Sequence, residues 1–186
     1  PKREGVAIVT NAGGPGIMAT DALERAGLQL ASLTTETMDA LRGFLPHAAS
    51  VLNPIVVLVD ALADRYSMAI ETALKDPNVG GLIVVLTPQI MTQIEETARA
   101  LGEAAKKYDK PCLASFMGEA TTGAGVKVLN DYLVPNYLVP ERAVAAMKQM
   151  YRQAAWMKRP LPTFETFDAD KDLVRKVFAT AREDGR

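Results

Sequence analysis

Cysteine and histidine are nearly absent from this chain of 186 residues, which contains one of each, Cys112 and His47. A single cysteine cannot form a disulfide framework or a cysteine metal cluster, and a single histidine cannot supply a histidine-rich metal site. The same scarcity argues against a catalytic triad. We therefore expect no metal site and no catalytic residue in this chain, and a reducing cytoplasm as its compartment.

An excess of either charge and a long apolar run are also missing. The chain has 21 basic and 22 acidic residues, a balance that gives no electrostatic basis for nucleic-acid binding. No segment has the length of a membrane span, and the N-terminal "PKREG" lacks the apolar region of a signal peptide. We expect no nucleic acid and no membrane among its partners. The start at Pro1 suggests a processed product, an excised piece of a longer polypeptide or a trimmed chain.

Apolar segments of strand length alternate with segments of helical periodicity along the chain. This alternation predicts an α/β fold of three layers, in which a parallel sheet carries helices on both faces. We predict one domain over residues 1–159 and a linker or tail over 160–186 that ends in a charged helix. The predicted strands cover 6–9, 28–33, 79–86, 110–117 and 134–139, with a further short strand near Pro54, and the predicted helices include one from Thr87 to about Tyr108 and one from Pro140.

Glycines follow the first predicted strand, in the stretch "NAGGPG" at residues 11–16. A strand that delivers its end to the start of a helix presents unpaired backbone amides to an anion or a carbonyl oxygen. A simple chain reversal would also need these glycines, and the stretch matches neither common phosphate-binding motif. Thr87 and Pro88 have the residue types of an N-cap and a first helical position, so a second helix start is predicted beside this one.

The two predicted helix starts lack cations in the sequence around them, because no Lys or Arg occurs in residues 4–24 or 76–98. One exposed helix start contributes only about 0.3–1 kcal/mol towards an anion. Such a site cannot hold a phosphate alone and would need groups from elsewhere.

Several long stretches together resemble the NDP-forming acyl-CoA synthetases, the ADP-forming acetate–CoA ligase group that is related to succinyl-CoA synthetase. They are "VAIVTNAGGPGIMATDALERAGL", "FLPHAASVLNPI", "VLTPQIMT", "FMGEATTGAG", "VPNYLVPERAVAAM" and "DKDLVRKVFATAREDGR". The resemblance covers essentially the whole chain. It implies the second flavodoxin-like ligase domain of a mosaic enzyme, whose other parts are a CoA-binding domain, a domain that carries a phosphohistidine and an ATP-grasp unit.

The resemblance also implies a role in phosphoryl transfer. In that family an acyl phosphate passes its phosphoryl group to the histidine of another domain and then to the nucleotide. The residues expected to accommodate the phosphoryl or acyl group here are Asn11, Gly13, Gly14, Gly16, Thr87, Pro88 and Gln89. CoA and ATP or ADP with Mg are expected in the full enzyme, and no cofactor is expected to bind this chain alone.

The chain departs from the family pattern at four positions. Val56 and Val59 replace a usual aspartate and a usual glycine, Leu133 replaces the glycine of "GVPNY", and Leu138 stands where proline is common. Added apolar surface often marks an interface. We therefore keep an alternative, a remodelled domain that self-assembles into a homo-oligomer. A free-standing nucleotide-binding protein is a third, weaker interpretation.

Overall fold

The computed structural model describes residues 1–160, 163 and 170–185. Within these residues, five parallel strands alternate with the first five of seven helices, and the alternation agrees with the sequence pattern. The strands are β1 (Gly5–Thr10), β2 (Gln29–Leu30), β3 (Ile55–Val56), β4 (Val79–Leu86) and β5 (Cys112–Phe116). The helices are α1 (Gly13–Ala26), α2 (Thr35–Arg42), α3 (Ala63–Lys75), α4 (Ile94–Lys107), α5 (Glu119–Asp131), α6 (Pro140–Met157) and α7 (Lys171–Glu183).

The centre of the sheet is formed by β1 and β4, in which every residue is buried. Burial on both faces explains why these strands read as continuous apolar runs. The strand order is β2-β1-β4-β5, and β3 pairs with the same side of β1 as β2 does. The short strands divide that side, since β2 pairs with the beginning of β1 and β3 pairs with its end.

Alternate residues of β1 point into two different cores. Val6 and Ile8 pack with α1 and α6, whereas Ala7 and Val9 pack with α2, α3, α4 and α5. The sheet therefore lies between two helical layers, and the predicted three-layer α/β architecture is confirmed.

Several predicted boundaries are wrong. α4 begins at Ile94 and not at Thr87, so Ile90 and Met91 do not lie on its buried face and are exposed. The predicted strand over 134–139 is reduced to an isolated bridge between Asn136 and Ala114. The stretch "GEATTGAG", whose glycines are typical of a turn, forms the N-cap and the first turns of α5.

The predicted tail contains the predicted charged helix, α7, and none of its side chains is buried. Residues 161, 162, 164–169 and 186 of that tail lie outside the described residues. The domain boundary at residue 159 stays a prediction. No helix in the described part of the chain combines the length and the apolar character needed to cross a bilayer.

Candidate functional site

The carboxyl ends of β1 and β4 lie side by side at one edge of the sheet, since Thr10 pairs with Val85 in parallel register. This is the edge at which open parallel sheets bind ligands. The segment after β1 and the segment after β4 both start here. The fold thus brings together the stretch "NAGGPG" and the stretch that begins at Thr87, which the sequence predicts to lie side by side.

Asn11 joins these two segments. Its side-chain amide donates a hydrogen bond to the carbonyl oxygen of Thr87 at 2.8 Å, and its side-chain oxygen accepts one from the Thr87 backbone amide at 2.9 Å. Asn11 is 1% exposed. Because both polar groups of its side chain are used, Asn11 positions the edge instead of offering a free group to a ligand.

Helix α1 starts at this edge with an open N-terminus. Its N-cap, Ala12, makes no side-chain capping bond, and its first turn contains no acidic residue. Gly13 and Gly14 are exposed, and a Cβ at either position would meet no atom within 4 Å. Packing therefore does not require these two glycines, and their backbone amides are accessible to an anion.

Gly16 has a different role, although it belongs to the same predicted set. It is buried, and a Cβ there would lie 3.0 Å from Cγ2 of Thr10 and 3.6 Å from the ring of Pro54. Its lack of a side chain lets α1 approach the end of β1. Gly16 thus shapes the edge by close packing.

The predicted helix start at Thr87, Pro88 and Gln89 does not exist. The backbone amide of Gln89 donates to Oγ1 of Thr92 at 2.8 Å, and Thr92 donates back to the Gln89 carbonyl at 3.0 Å, which makes a turn ahead of α4. Oγ1 of Thr87 is buried and has no hydrogen-bond partner among the described residues. This hydroxyl therefore has a hydrogen-bonding capacity that the described residues enclose but do not use.

A second helix start at this edge belongs to α5, whose residues were not among the predicted site residues. Gly118 is its N-cap, with a φ of 86° and no side-chain capping bond. A Cβ on Gly118 would lie 3.6 Å from the ring of Pro88, so this turn touches the segment after β4. The acidic Glu119 in the first turn of α5 was the available sequence signal.

Sequence reasoning also missed a cation close to the end of β1, where Val57 bonds to Thr10. Arg65, in the first turn of α3, donates to the Asp60 carboxylate at 2.7 Å and to the carbonyl oxygen of Val57 at 2.9 Å. The hydrogen bond from Arg65 lowers the pKa of Asp60. Because its charge is already paired, Arg65 offers little attraction to a second anion.

Exposed apolar side chains surround this charge pair. Val59 and Leu62 lie between β3 and α3, and Ile90 and Met91 lie between β4 and α4. Oε1 of Gln93 accepts from the Ala63 amide at 3.1 Å, which connects the two loops. These two loops therefore present exposed apolar side chains at the carboxyl ends of β3 and β4.

His, Cys, Asp and Glu side chains do not come together in threes as metal ligands within the described residues. His47 lies exposed in a turn. The Cys112 thiol is buried, and burial raises its pKa to about 12.

A family model described as the Ligase-CoA domain matches residues 6–159. The chain belongs to this family. The Ligase-CoA domain has relatives among curated proteins that are much longer than itself. It is 31% identical over 186 residues to the 4-hydroxybutyrate–CoA ligase [ADP-forming] of Nitrosopumilus maritimus, and 36% identical over 158 residues to the acetate–CoA ligase [ADP-forming] II subunit alpha of Pyrococcus furiosus. These matches cover 100% and 83% of the chain but only 26% and 35% of the relatives.

Solved structures are similar in fold and sequence. PH0766 from Pyrococcus horikoshii OT3 gives a TM-score of 0.81 at 34% identity, over 86% of this chain and 38% of that one. The dinucleotide-forming acetyl-coenzyme A synthetase 1 of Ca. Korarchaeum cryptofilum, in complex with phosphate and ADP, gives 0.77 at 30% identity, over 88% and 36%. The Ligase-CoA domain thus corresponds to about a third of each of these chains.

The four departures from the family pattern lie in different surroundings. Val56 is partly buried in β3, whereas Val59, Leu133 and Leu138 are 54%, 89% and 52% exposed. Val59 lies at the candidate edge of the Ligase-CoA domain. Leu133 follows α5 and has a φ of 60°, a left-handed conformation that favours glycine.

Proposed function

We propose that this chain is one domain of an NDP-forming acyl-CoA synthetase, an enzyme that converts acyl-CoA, ADP and phosphate into the acid, CoA and ATP. The reaction would pass through an acyl phosphate and through a phosphohistidine on another domain. The observation that carries this proposal is the open start of α1. Its glycines Gly13 and Gly14 are exposed and follow Asn11, whose side chain is hydrogen-bonded to Thr87.

The chain's part in the reaction is to hold a phosphoryl group that another domain delivers. The amides of Gly13 and Gly14 would donate to phosphoryl oxygens, and the positive end of the α1 dipole would stabilise their charge. The buried Thr87 hydroxyl, which has no partner within the described part of the chain, would donate to the same group. Asn11 would keep Thr87 and α1 at a fixed separation.

CoA and the magnesium nucleotide would bind to other parts of the enzyme. No group of three acidic, His or Cys side chains suited to a metal occurs in the described residues, and Arg65, which donates to the Val57 carbonyl next to β3, is paired with Asp60. When bound, the nucleotide accepts the phosphoryl group from the phosphohistidine. We therefore propose that the partners of this chain are the CoA-binding, phosphohistidine and ATP-grasp domains.

The proposal is tested by reconstitution. The chain is mixed or co-expressed with the CoA-binding, phosphohistidine and ATP-grasp domains of a related enzyme, and ATP formation from acetyl-CoA, ADP and phosphate is measured. We expect activity that depends on this chain. No activity with a folded, associated chain would contradict the proposed role.

A glycine substitution tests the site itself. Gly14→Ala adds a methyl group where a phosphoryl group would approach, so we expect at least a tenfold slower reaction from a chain that is no less stable. Gly123→Ala is the matched control, because Gly123 also lies in a helix with no atom within 4 Å of its Cβ position. Equal rates for both variants would exclude the amides of α1 as the site.

The exposed apolar side chains support a second candidate, a domain that self-assembles. Val59, Leu62, Ile90 and Met91 form an apolar surface at the very edge where a partner domain would sit. We propose that this surface makes the chain a homo-oligomer when no other domain covers it. Sedimentation at micromolar concentration tests this, and a monomer would contradict it.

A further inference from the structure

Helix α7 has one apolar face that no described residue buries. Leu173, Val174, Val177 and Phe178 follow helical spacing and are 58%, 46%, 59% and 65% exposed. Helices with such a face bury it against another element in folded proteins. The face therefore requires a partner surface.

An uncovered apolar groove lies beside the edge strand of the sheet. It has a volume of about 630 Å³ and lies between β5, the segment after α5, and α6, with Cys112, Leu133, Tyr137 and Met150 among its lining residues. β5 is the last strand of the sheet, and residues 135–137 cover its Ala114 and Phe116 end by hydrogen bonds, whereas Cys112 at its other end lines the groove. Edge strands are commonly covered by a helix or a loop.

The connection between the two surfaces is short but sufficient. Met150 precedes the last residue of α6, Met157, by about 10 Å along the helix. Residues 158–170 separate α6 from α7, and a chain of that length spans up to about 45 Å. The groove is therefore within reach of α7 of the same molecule.

The size of the apolar face favours this intramolecular partner. A helix of 13 residues is about 20 Å long and about 10 Å wide. A contact of that size is well below the roughly 800 Å² per partner that a stable complex between separate molecules buries. Within one chain the effective concentration reaches the millimolar range, so a smaller contact suffices.

We propose that α7 docks its Leu173, Val174, Val177 and Phe178 face into the groove between β5 and α6 of its own chain. The docked helix covers the groove beside the beginning of β5 and buries Met150. This interaction is independent of the phosphoryl site, which lies at the carboxyl ends of the strands.

Disulfide formation in the full chain tests the proposal. The native thiol is first removed by Cys112→Ala, and Met150→Cys is then combined with either Val177→Cys or Ala179→Cys. Positions 177 and 179 differ by about 200° around the helix, so only the first faces the groove. We expect the intramolecular bond between positions 150 and 177 to form at least ten times faster than the bond between 150 and 179.

Two results would overturn the proposal. Equal rates for the two pairs would mean that α7 samples the groove without a preferred face. Bonds that form only between molecules, at a rate that rises with protein concentration, would mean that a second copy is the partner. As a further check, Phe178→Asp should slow the bond between 150 and 177 at least tenfold, and an unchanged rate would contradict docking through the apolar face.

Discussion

At the scale of single residues, Leu133 has a backbone conformation that suits another amino acid. It lies directly after α5 with a φ of 60°, and the next amide, that of Val134, donates to the Leu129 carbonyl at 2.9 Å. Helices that end in this way usually carry glycine at the left-handed position. The glycine that the resembled family has here therefore has a physical reason, and the leucine is strained.

Replacement of Leu133 by glycine should stabilise the protein. A left-handed backbone costs a leucine about 1–2 kcal/mol, and glycine loses about 0.5–1 kcal/mol of that gain through its flexibility in the unfolded chain. We expect Leu133→Gly to raise the free energy of unfolding by about 0.5–1 kcal/mol, measured with urea. Leu133→Ala keeps the backbone cost, so an equal gain from alanine would show that the exposed side chain, and not the backbone, is the cause.

A second residue-scale prediction concerns Asp76, which is 1% exposed. Its carboxylate accepts from the amides of Thr34 at 2.8 Å and Asn78 at 2.7 Å. Asp76→Ala leaves both amides without this partner, and we expect a loss of about 1–3 kcal/mol in urea unfolding. Asp39→Ala removes a carboxylate from an exposed pair with Arg42 and should cost less than about 0.5 kcal/mol. Similar losses for the two variants would contradict this account.

At the scale of elements, local signals predicted some boundaries well. The apolar run over residues 79–86 is β4, and Pro140 is the first residue of α6. Both signals are local. A run of six large apolar residues and two glycines is typical of a strand buried on both faces, and a proline at the first helical position loses no hydrogen bond.

The start of α4 could not be predicted locally, because a distant residue decides it. Thr87 and Pro88 have the types of a helix start, but the side chain of Asn11, 76 positions away, bonds both backbone groups of Thr87. The chain is thereby held extended at that point. The helix start at the glycines was thus predicted correctly for α1 and the helix start at Thr87 incorrectly, while the phosphoryl-binding role of these residues stays a prediction.

Glycines within α4 and α5 weaken the helical signal of the sequence, although close packing between the two helices requires them. A Cβ on Gly125 would lie 2.6 Å from Cγ2 of Ile94, and one on Gly102 of α4 would lie 2.2 Å from Cγ of Tyr132. These glycines let α4 and α5 approach each other closely. Sequence alone shows only a poor helix former at each position.

Gly102→Ala should therefore destabilise the protein although alanine favours helices. The new methyl group meets the Tyr132 ring, and we expect a net loss of about 1–3 kcal/mol. Gly123→Ala adds a methyl group in open space on α5 and should gain up to about 1 kcal/mol. Thermal unfolding followed by circular dichroism distinguishes the two, and stabilisation by both substitutions would contradict the predicted contact.

At the scale of the whole molecule, the sheet order depends on pairings that no local pattern contains. β2 and β3 are two residues each and share one side of β1. The alternation of elements predicts a parallel sheet but not this division. The division matters for function, because β3 pairs with the end of β1 and so places Val59 and Asp60 near the start of α1.

Stability at alkaline pH is also a property of the whole fold. Burial raises the pKa of Cys112 from 9.0 to about 12. The folded state then keeps a proton that the unfolded state releases, so this contribution is complete below pH 9 and is lost as the pH rises from 9 towards 12. Between pH 8 and pH 10 we expect Cys112 to account for a loss of about 1.4 kcal/mol in the free energy of unfolding.

Urea unfolding of Cys112→Ala at both pH values measures this contribution, because the variant should lose about 1.4 kcal/mol less than the parent chain. Tyr151→Phe is the matched control. Burial also raises the pKa of Tyr151 to about 12, but from an ordinary value of 10.0. The unfolded phenol is therefore only half ionised at pH 10, and the control should change the loss by only about 0.4 kcal/mol. If Cys112→Ala loses as much stability as the parent, ionisation of the buried thiol does not limit the alkaline stability of the fold.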